Sequence, residues 1–198
     1  MPRAKRVLQS IYPYHVTLRS INKMHFELGA DVLWDYICDQ LLFCTYAFKI
    51  EIHSFVLMSN HYHMIVRTPN SNIDKFMNYF NRELSREISL KTGRLNQKFG
   101  NRYYSTIIDN LAYYGHAYKY VYRNPVESLM CLNVQDYDYS SLSFITGRQP
   151  YRFPIFDTYF DTAMSYEPNI AWLNLHYSPN QHYEIKSALK NKYFSPRI

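Results

Sequence analysis

Hydrophobic and polar positions alternate with two different periods along this chain. Near the start, "YHVTLRS" alternates with period two and is rich in β-branched residues, so it predicts a strand around Tyr14 to Arg19. In "ADVLWDYICDQLLFC" the apolar residues Val32, Leu33, Tyr36, Ile37 and Leu41 recur at helical spacing, which predicts a helix from about Asp31 to Phe43. "AFKIEIHSFVLM" and "HYHMIVRT" read as two strands joined by a tight turn at Ser59-Asn60. After Pro69, Ser71 or Asn72 offers an N-cap, and Ile73, Phe76, Met77, Phe80 and Leu84 form one stripe of a second helix. Gly93 and Gly100 punctuate a loop, "RYYSTIID" is a fourth strand, and "NLAYYGHAYKYVYRN" is a helix that Pro125 is expected to stop.

The order is therefore β-α-β-β-α-β followed by a further helix. This predicts an α+β fold of the ferredoxin-like, split βαβ kind: a four-stranded antiparallel sheet with helices on one face, plus the additional helix. Beyond Pro125, "DYDYSSLSFITGR" is expected to pack back on the domain. The chain divides on this reading into a domain at 1–148 and an extension at 149–198 that packs on it. The extension is rich in Pro, Tyr and Asn, with a short terminal helix in "YEIKSALKNKYF" and no internal repeat.

Composition narrows the class. At 198 residues with 47% hydrophobic content and only 5 glycines, the chain suits one folded domain with an appendage rather than a disordered polymer. The 21 tyrosines and 12 phenylalanines supply many rings, most with a polar tip. A net charge of +6 suits a polyanionic partner without singling one out. Cys38, Cys44 and Cys131 have no CxxC spacing, which argues for buried thiols, a reducing compartment and no zinc site. No apolar run reaches the ~18 residues of a membrane span, and "MPRAKRVLQS" lacks a signal-peptide core, so a cytoplasmic protein without a membrane partner is expected.

Two motifs carry candidate chemistry. Alternation along a strand puts His61 and His63 on one face, roughly 7 Å apart, with Tyr62 on the other, among the helices. Two such imidazoles can converge on a metal ion; an HxH strand by itself is equally a pair of polar residues on an exposed sheet face. In the last long helix Tyr120 and Asn124 share a face one turn apart, whereas Tyr118 and Tyr122 point away from it. The Asn124 amide oxygen is a hard donor suited to Mg²⁺ or Mn²⁺, and a tyrosine can act as a covalent nucleophile beside such an ion. Tyr120 in isolation is equally a core aromatic of a tyrosine-rich helix.

The ordered set "LMSNHYHMIV", then "YKYVYRNPVES" about sixty residues later, resembles the HUH single-tyrosine transposases, and among them the REP-associated tyrosine transposases. "YHVTLRSINK", "YFNRELS", "LNQKFGNRYYSTIID" and "DYDYSSLSFITG" extend the resemblance over residues 10 to 148. The resemblance implies His61 and His63 as metal ligands, Tyr120 as the nucleophile, Asn124 as the third ligand and Mg²⁺ or Mn²⁺ as the ion, with no small-molecule cofactor. It implies cleavage and rejoining of single-stranded DNA beside a hairpin through a 5′-phosphotyrosine. It also favours a monomer, related transposases being dimers. Tyr62 is packing on this reading. Ser59 stands where proline is frequent and Glu127-Ser128 where Arg-Ala is common, departures expected not to touch the chemistry; His116 is read as packing.

Candidate phosphate contacts are Lys91, Arg94, Lys98 and Arg102 in "KTGRLNQKFGNR", Arg82 and Arg86 one turn apart on the preceding helix, and Lys5 and Arg6 in the N-terminal arm. Two other functions remain open at this point. One is a catalytically silent protein that binds DNA or RNA hairpins on the same scaffold. The other is a ferredoxin-like RNA-binding module whose exposed aromatics stack bases, which leaves the histidine pair unexplained.

Overall fold

The computed structural model describes residues 6–93, 98–100, 102–156 and 169–198. Four strands, β1 (Tyr14–Arg19), β2 (Glu51–Leu57), β3 (His61–Arg67) and β4 (Tyr104–Ile107), form one antiparallel sheet in the order β2-β3-β1-β4. With α1 (Ala30–Phe48) after β1 and α2 (Ile73–Thr92) after β3, this is the split βαβ topology predicted from the order of periods. The third long helix, α3 (Leu111–Glu127), lies on the opposite face of the sheet from α1 and α2.

Each face has its own core. Val16, Leu18, Ile52, Phe55, Tyr62, Met64 and Val66 face α1 and α2 and meet Leu33, Trp34, Ile37, Phe76 and Phe80 there. Val56 and Ile65 face α3 and meet Tyr118, Val121 and Tyr122. Period-two alternation sorts the strand residues between the faces. The sorting is adjusted once, by a bulge at His53 between the Ile52↔Val66 and Ser54↔Ile65 pairs, which turns the His53 ring toward Tyr114 of α3.

Two helix ends differ from expectation. α1 continues past Phe43 to Phe48, because Cys44 and Thr45 prolong the buried stripe, and Lys49 ends it at φ 51°. Pro125 does not stop α3, which runs on to Glu127. A proline at 125 removes the N–H that would bond the Val121 carbonyl. The Asn124 side chain stands in: its Nδ2 donates to Tyr120 O at 2.8 Å and to Val121 O at 3.4 Å.

The extension is attached at several points. Arg152 pairs with Asp35 at 2.7 Å and Asp39 at 3.0 Å on α1, and Phe153 is buried in the first core. After the short helices α4 (Leu142–Ile145) and α5 (Ile170–Asn174), a ten-residue helix, α6 (Pro179–Ala188), starts with a capping box between Ser178 and Gln181. It buries Ile185 and Ala188 against the α3 side. The chain then runs along β4, where Ile107 N donates to Lys192 O and Phe194 N to Ile107 O. Among the described residues no helix is long and apolar enough to cross a membrane.

Candidate active site

The α3-facing side of the sheet gathers four buried histidines, His15, His53, His61 and His63. The rings of His61 and His63 stand 5.0 Å apart between centroids and nearly perpendicular, on the same side of β3 as the spacing requires. Their hydrogen bonds decide which nitrogens are available. Asn60 is oriented by its Nδ2, which donates to Lys23 O at 2.7 Å, so its Oδ1 faces His61 Nδ1 at 2.6 Å. An amide oxygen only accepts; the His61 proton therefore sits on Nδ1, and Nε2 keeps its lone pair. In the structure that lone pair meets Arg19 Nη2 at 3.3 Å. His63 Nδ1 lies 3.0 Å from His15 Nε2, with the two rings stacked. With the shared proton on His63 Nδ1, the His63 Nε2 is likewise free to ligate.

Burial keeps these rings neutral. It pushes His15 down to about 3 and His61 down to about 4, and holds His63 well below the ordinary imidazole value. The positive charges of Arg19 and Lys186 act in the same direction on His61 and His63. Neutral imidazole is the form that binds a metal.

From the opposite wall α3 presents Tyr120 and Asn124. The Tyr120 ring, only 9% exposed, stands edge-on to His63 at 5.6 Å and to His15 at 6.1 Å. Burial pushes its hydroxyl up to about 12; Arg19 offsets part of this and Glu127 adds to it. Because Asn124 spends its amide nitrogen on the helix backbone beside Pro125, its Oδ1 is the atom left to face the cleft it lines. Among the described residues no three His, Cys, Asp or Glu gather as a metal site. Two neutral imidazole nitrogens and an amide oxygen make a mixed donor set suited to Mn²⁺ and acceptable to Mg²⁺.

These residues share one cleft of about 540 Å³, and it holds more than the sequence suggested. Arg19 and Thr17 enter from β1, Glu127 and Ser128 from the end of α3, and His182, Lys186 and Lys190 from α6 and the turn after it. The ring of His182 is 6.1 Å from that of Tyr120. Glu127, expected to lie apart from the chemistry, lines this cleft, and its carboxylate accepts from Arg123 Nη2 at 2.6 Å. His15 lies one alternation step from Thr17, the partner of His63 across β1 and β3, so placing it needs the register between those strands. The α6 contributions had no signal in the sequence, because nothing in "YEIKSALKNKYF" tells where in space that helix docks.

The predicted phosphate contacts lie elsewhere. Arg82, Arg86 and Lys91 are exposed along α2, on the other side of the sheet, next to Glu83 and Glu87. Lys98 is turned inward, 9% exposed, with Nζ 3.6 Å from Glu27. Arg6 is stacked on Tyr103 at 3.7 Å and paired with Asp74 at 2.8 Å, a structural arrangement. Arg102 is exposed and lines, with Arg6, a second groove beside α2. Lys5 and Arg94 lie outside the described residues. Of the six that are described, none lines the cleft of Tyr120. His116 meets Tyr177 at 3.1 Å and packs on Trp172, so it serves the contact between α3 and the extension.

Comparison with known proteins bears on the fold and the family. A solved structure of a REP-associated tyrosine transposase bound to a REP hairpin matches with a TM-score of 0.60 at 20% identity, over 84% of this chain and 98% of that one. No curated protein matches. The profile of the family described as "Transposase IS200 like" matches residues 12–124, from β1 through Asn124. The chain belongs to the IS200-like transposase family.

Proposed function

We propose that this protein cleaves and rejoins single-stranded DNA next to a hairpin, using Tyr120 as a covalent nucleophile and Mg²⁺ or Mn²⁺ as cofactor. The observation that carries the reading is the convergence, in one cleft of a single chain, of Tyr120 and Asn124 on one face of α3 with His61 and His63 on β3. The hairpin is proposed because the structurally similar REP-associated transposase was solved bound to a REP hairpin.

His61, His63 and Asn124 would hold the ion, which when bound supplies charge stabilisation at the scissile phosphate and favours ionisation of a nearby hydroxyl. Asn60 fixes the His61 tautomer, and His15 orients His63. The Tyr120 oxygen attacks phosphorus, the bond to the 3′ oxygen breaks, and the products are a 5′-phosphotyrosine and a free 3′-hydroxyl. One phosphodiester replaces another, so the step runs backwards readily and a 3′-hydroxyl can rejoin. Burial pushes the Tyr120 hydroxyl up to about 12 against an ordinary ~10, so its ionisation in the attack depends on help from a nearby cation or base.

The test is to incubate purified protein with single-stranded hairpin DNA and Mn²⁺, then look for a protein–DNA adduct that survives denaturation. Wild type forms it; Tyr120→Phe does not, while binding the DNA with nearly unchanged affinity. An adduct in Tyr120→Phe removes the nucleophile assignment. Binding without any wild-type adduct makes the protein a hairpin binder instead.

A further inference from the structure

We infer that α6 supplies a phosphate-binding wall of the cleft: Lys186 and Lys190, with Arg19 of β1 opposite, hold backbone phosphates of the single strand beside Tyr120. The inference rests on the strand-cleaving reading for the identity of the ligand.

Position is the first argument. His182, Lys186 and Lys190 are spaced four residues apart, so they follow one face of α6 and its continuation, and all three line the cleft. The adjoining face, with Ile185, Ala188 and Leu189, is buried against the α3 side. Leu189 O accepts from Thr106 Oγ1 at 2.7 Å and the following residues pair with β4, so the lysines are presented from a docked element.

Charge is the second. About half of the described cations have a carboxylate partner, among them Arg6 with Asp74, Arg67 with Glu51, Arg86 with Glu83, Lys98 with Glu27, Arg123 with Glu127 and Arg152 with Asp35. Arg19, Lys186 and Lys190 form no salt bridge among the described residues, and they meet in the one cleft that contains Tyr120. The acid of that cleft, Glu127, is already engaged by Arg123 at 2.6 Å. Three uncompensated cations around a cavity of about 540 Å³ repel one another, and a polyanion relieves that repulsion while releasing its own counterions. Of the cations expected from the sequence to touch phosphate, Arg82, Arg86 and Lys91 sit beside glutamates on α2, whereas Lys186 and Lys190 line the cleft itself.

The experiment measures binding of a single-stranded oligonucleotide to Tyr120→Phe protein in EDTA, by anisotropy, over a range of salt. Each phosphate contact on a single strand contributes ~0.7 to the slope of log K against log[salt]. Lys186→Gln with Lys190→Gln is therefore expected to lower the slope by about 1.4 and weaken binding about tenfold near physiological salt. Lys186→Arg with Lys190→Arg should keep the wild-type slope. The control pair Lys49→Gln with Lys75→Gln, equal in charge and away from the cleft, should also keep it. An unchanged slope in the glutamine pair overturns the inference, and so does an equal loss in the control pair. Because no cleavage is involved, the outcome separates from the adduct assay. Wild-type adduct with an unchanged slope defeats this inference alone. A changed slope without adduct defeats the cleavage reading and leaves the phosphate wall standing.

Discussion

The two faces of β3 come from alternate residues of one seven-residue strand, yet they differ in kind. Toward α1 and α2 stand Tyr62, Met64 and Val66, all fully buried, with the Tyr62 ring between Phe55 and Phe80. Toward α3 stand His61, His63 and Ile65, and the polar rings there look across a cleft instead of into a filled layer. On the first face every position has a packing partner, so its residues answer to stability. On the second, beside the core around Ile65, lone pairs, a hydroxyl and cations line a cleft without filling the space between them. The rigid face is what lets the open one stay precise, because alternation ties the orientation of His61 and His63 to the seating of Tyr62.

The sharpest way to break the comparison is a pair of truncations, one on each side. Phe80→Ala, at a fully buried ring, should cost about 3–5 kcal/mol in urea unfolding, the range for large-to-small changes in cores. What adduct formation remains should track the folded fraction. His61→Ala should change stability by no more than about 1 kcal/mol, since its ring borders the cleft, while adduct yield with Mn²⁺ falls more than about a hundredfold. Loss of an outer partner of a metal ligand costs 10- to 100-fold, and removal of the ligand itself costs at least as much. Similar stability losses in both variants would mean that His61 serves packing as Phe80 does and is no ligand.

Acid should act through only one of the faces. Four imidazoles are buried toward α3 and none toward α1 and α2. His53 is the clearest case because it lies apart from the proposed ligands: its Nδ1 meets the Tyr114 hydroxyl at 2.8 Å, and burial, helped by Arg67, pushes it down to about 3. An unfolded histidine titrates near ~6.5. Between about 6.5 and 3 the unfolded chain thus binds a proton that the folded chain refuses, so stability falls as pH falls through that window and is level above it. Urea midpoints of wild type should drop from pH 7.5 to pH 5, and His53→Gln should flatten part of that drop. An equally steep drop in the variant would assign the acid sensitivity to other groups.

How much of this was legible follows from which interactions are local. The alternation that separates Tyr62 from His61 and His63 is a property of a single strand, and the Tyr120–Asn124 pairing is a property of a single helix, so both could be read directly. Pro125 misled because the group that replaces its missing N–H is a neighbouring side chain, and proline signals a helix end only when nothing else covers the exposed carbonyls. Arg19 and His15 required the register between β1 and β3, and Lys186 required knowing where α6 lands. The partners of basic residues are hidden from the sequence in a similar way. Lys98 stands in a run without acids, yet its partner Glu27 is distant in sequence.

The smallest expected effect is the most specific test of the division between the faces. Tyr62, between the two histidines in sequence, donates its hydroxyl to Asn81 Oδ1 at 2.6 Å on α2. Tyr62→Phe keeps the ring against Phe55 and Phe80 and removes that one hydrogen bond. A single such bond contributes about 0.5–1.5 kcal/mol net, so the urea midpoint should shift by that amount. Adduct yield, DNA affinity and Mn²⁺ dependence should stay at wild-type levels, since nothing of Tyr62 reaches the cleft. If adduct yield falls severalfold while the stability loss stays within this range, the hydroxyl helps to position the histidines, and the two faces of β3 are linked more closely than their separate cores suggest.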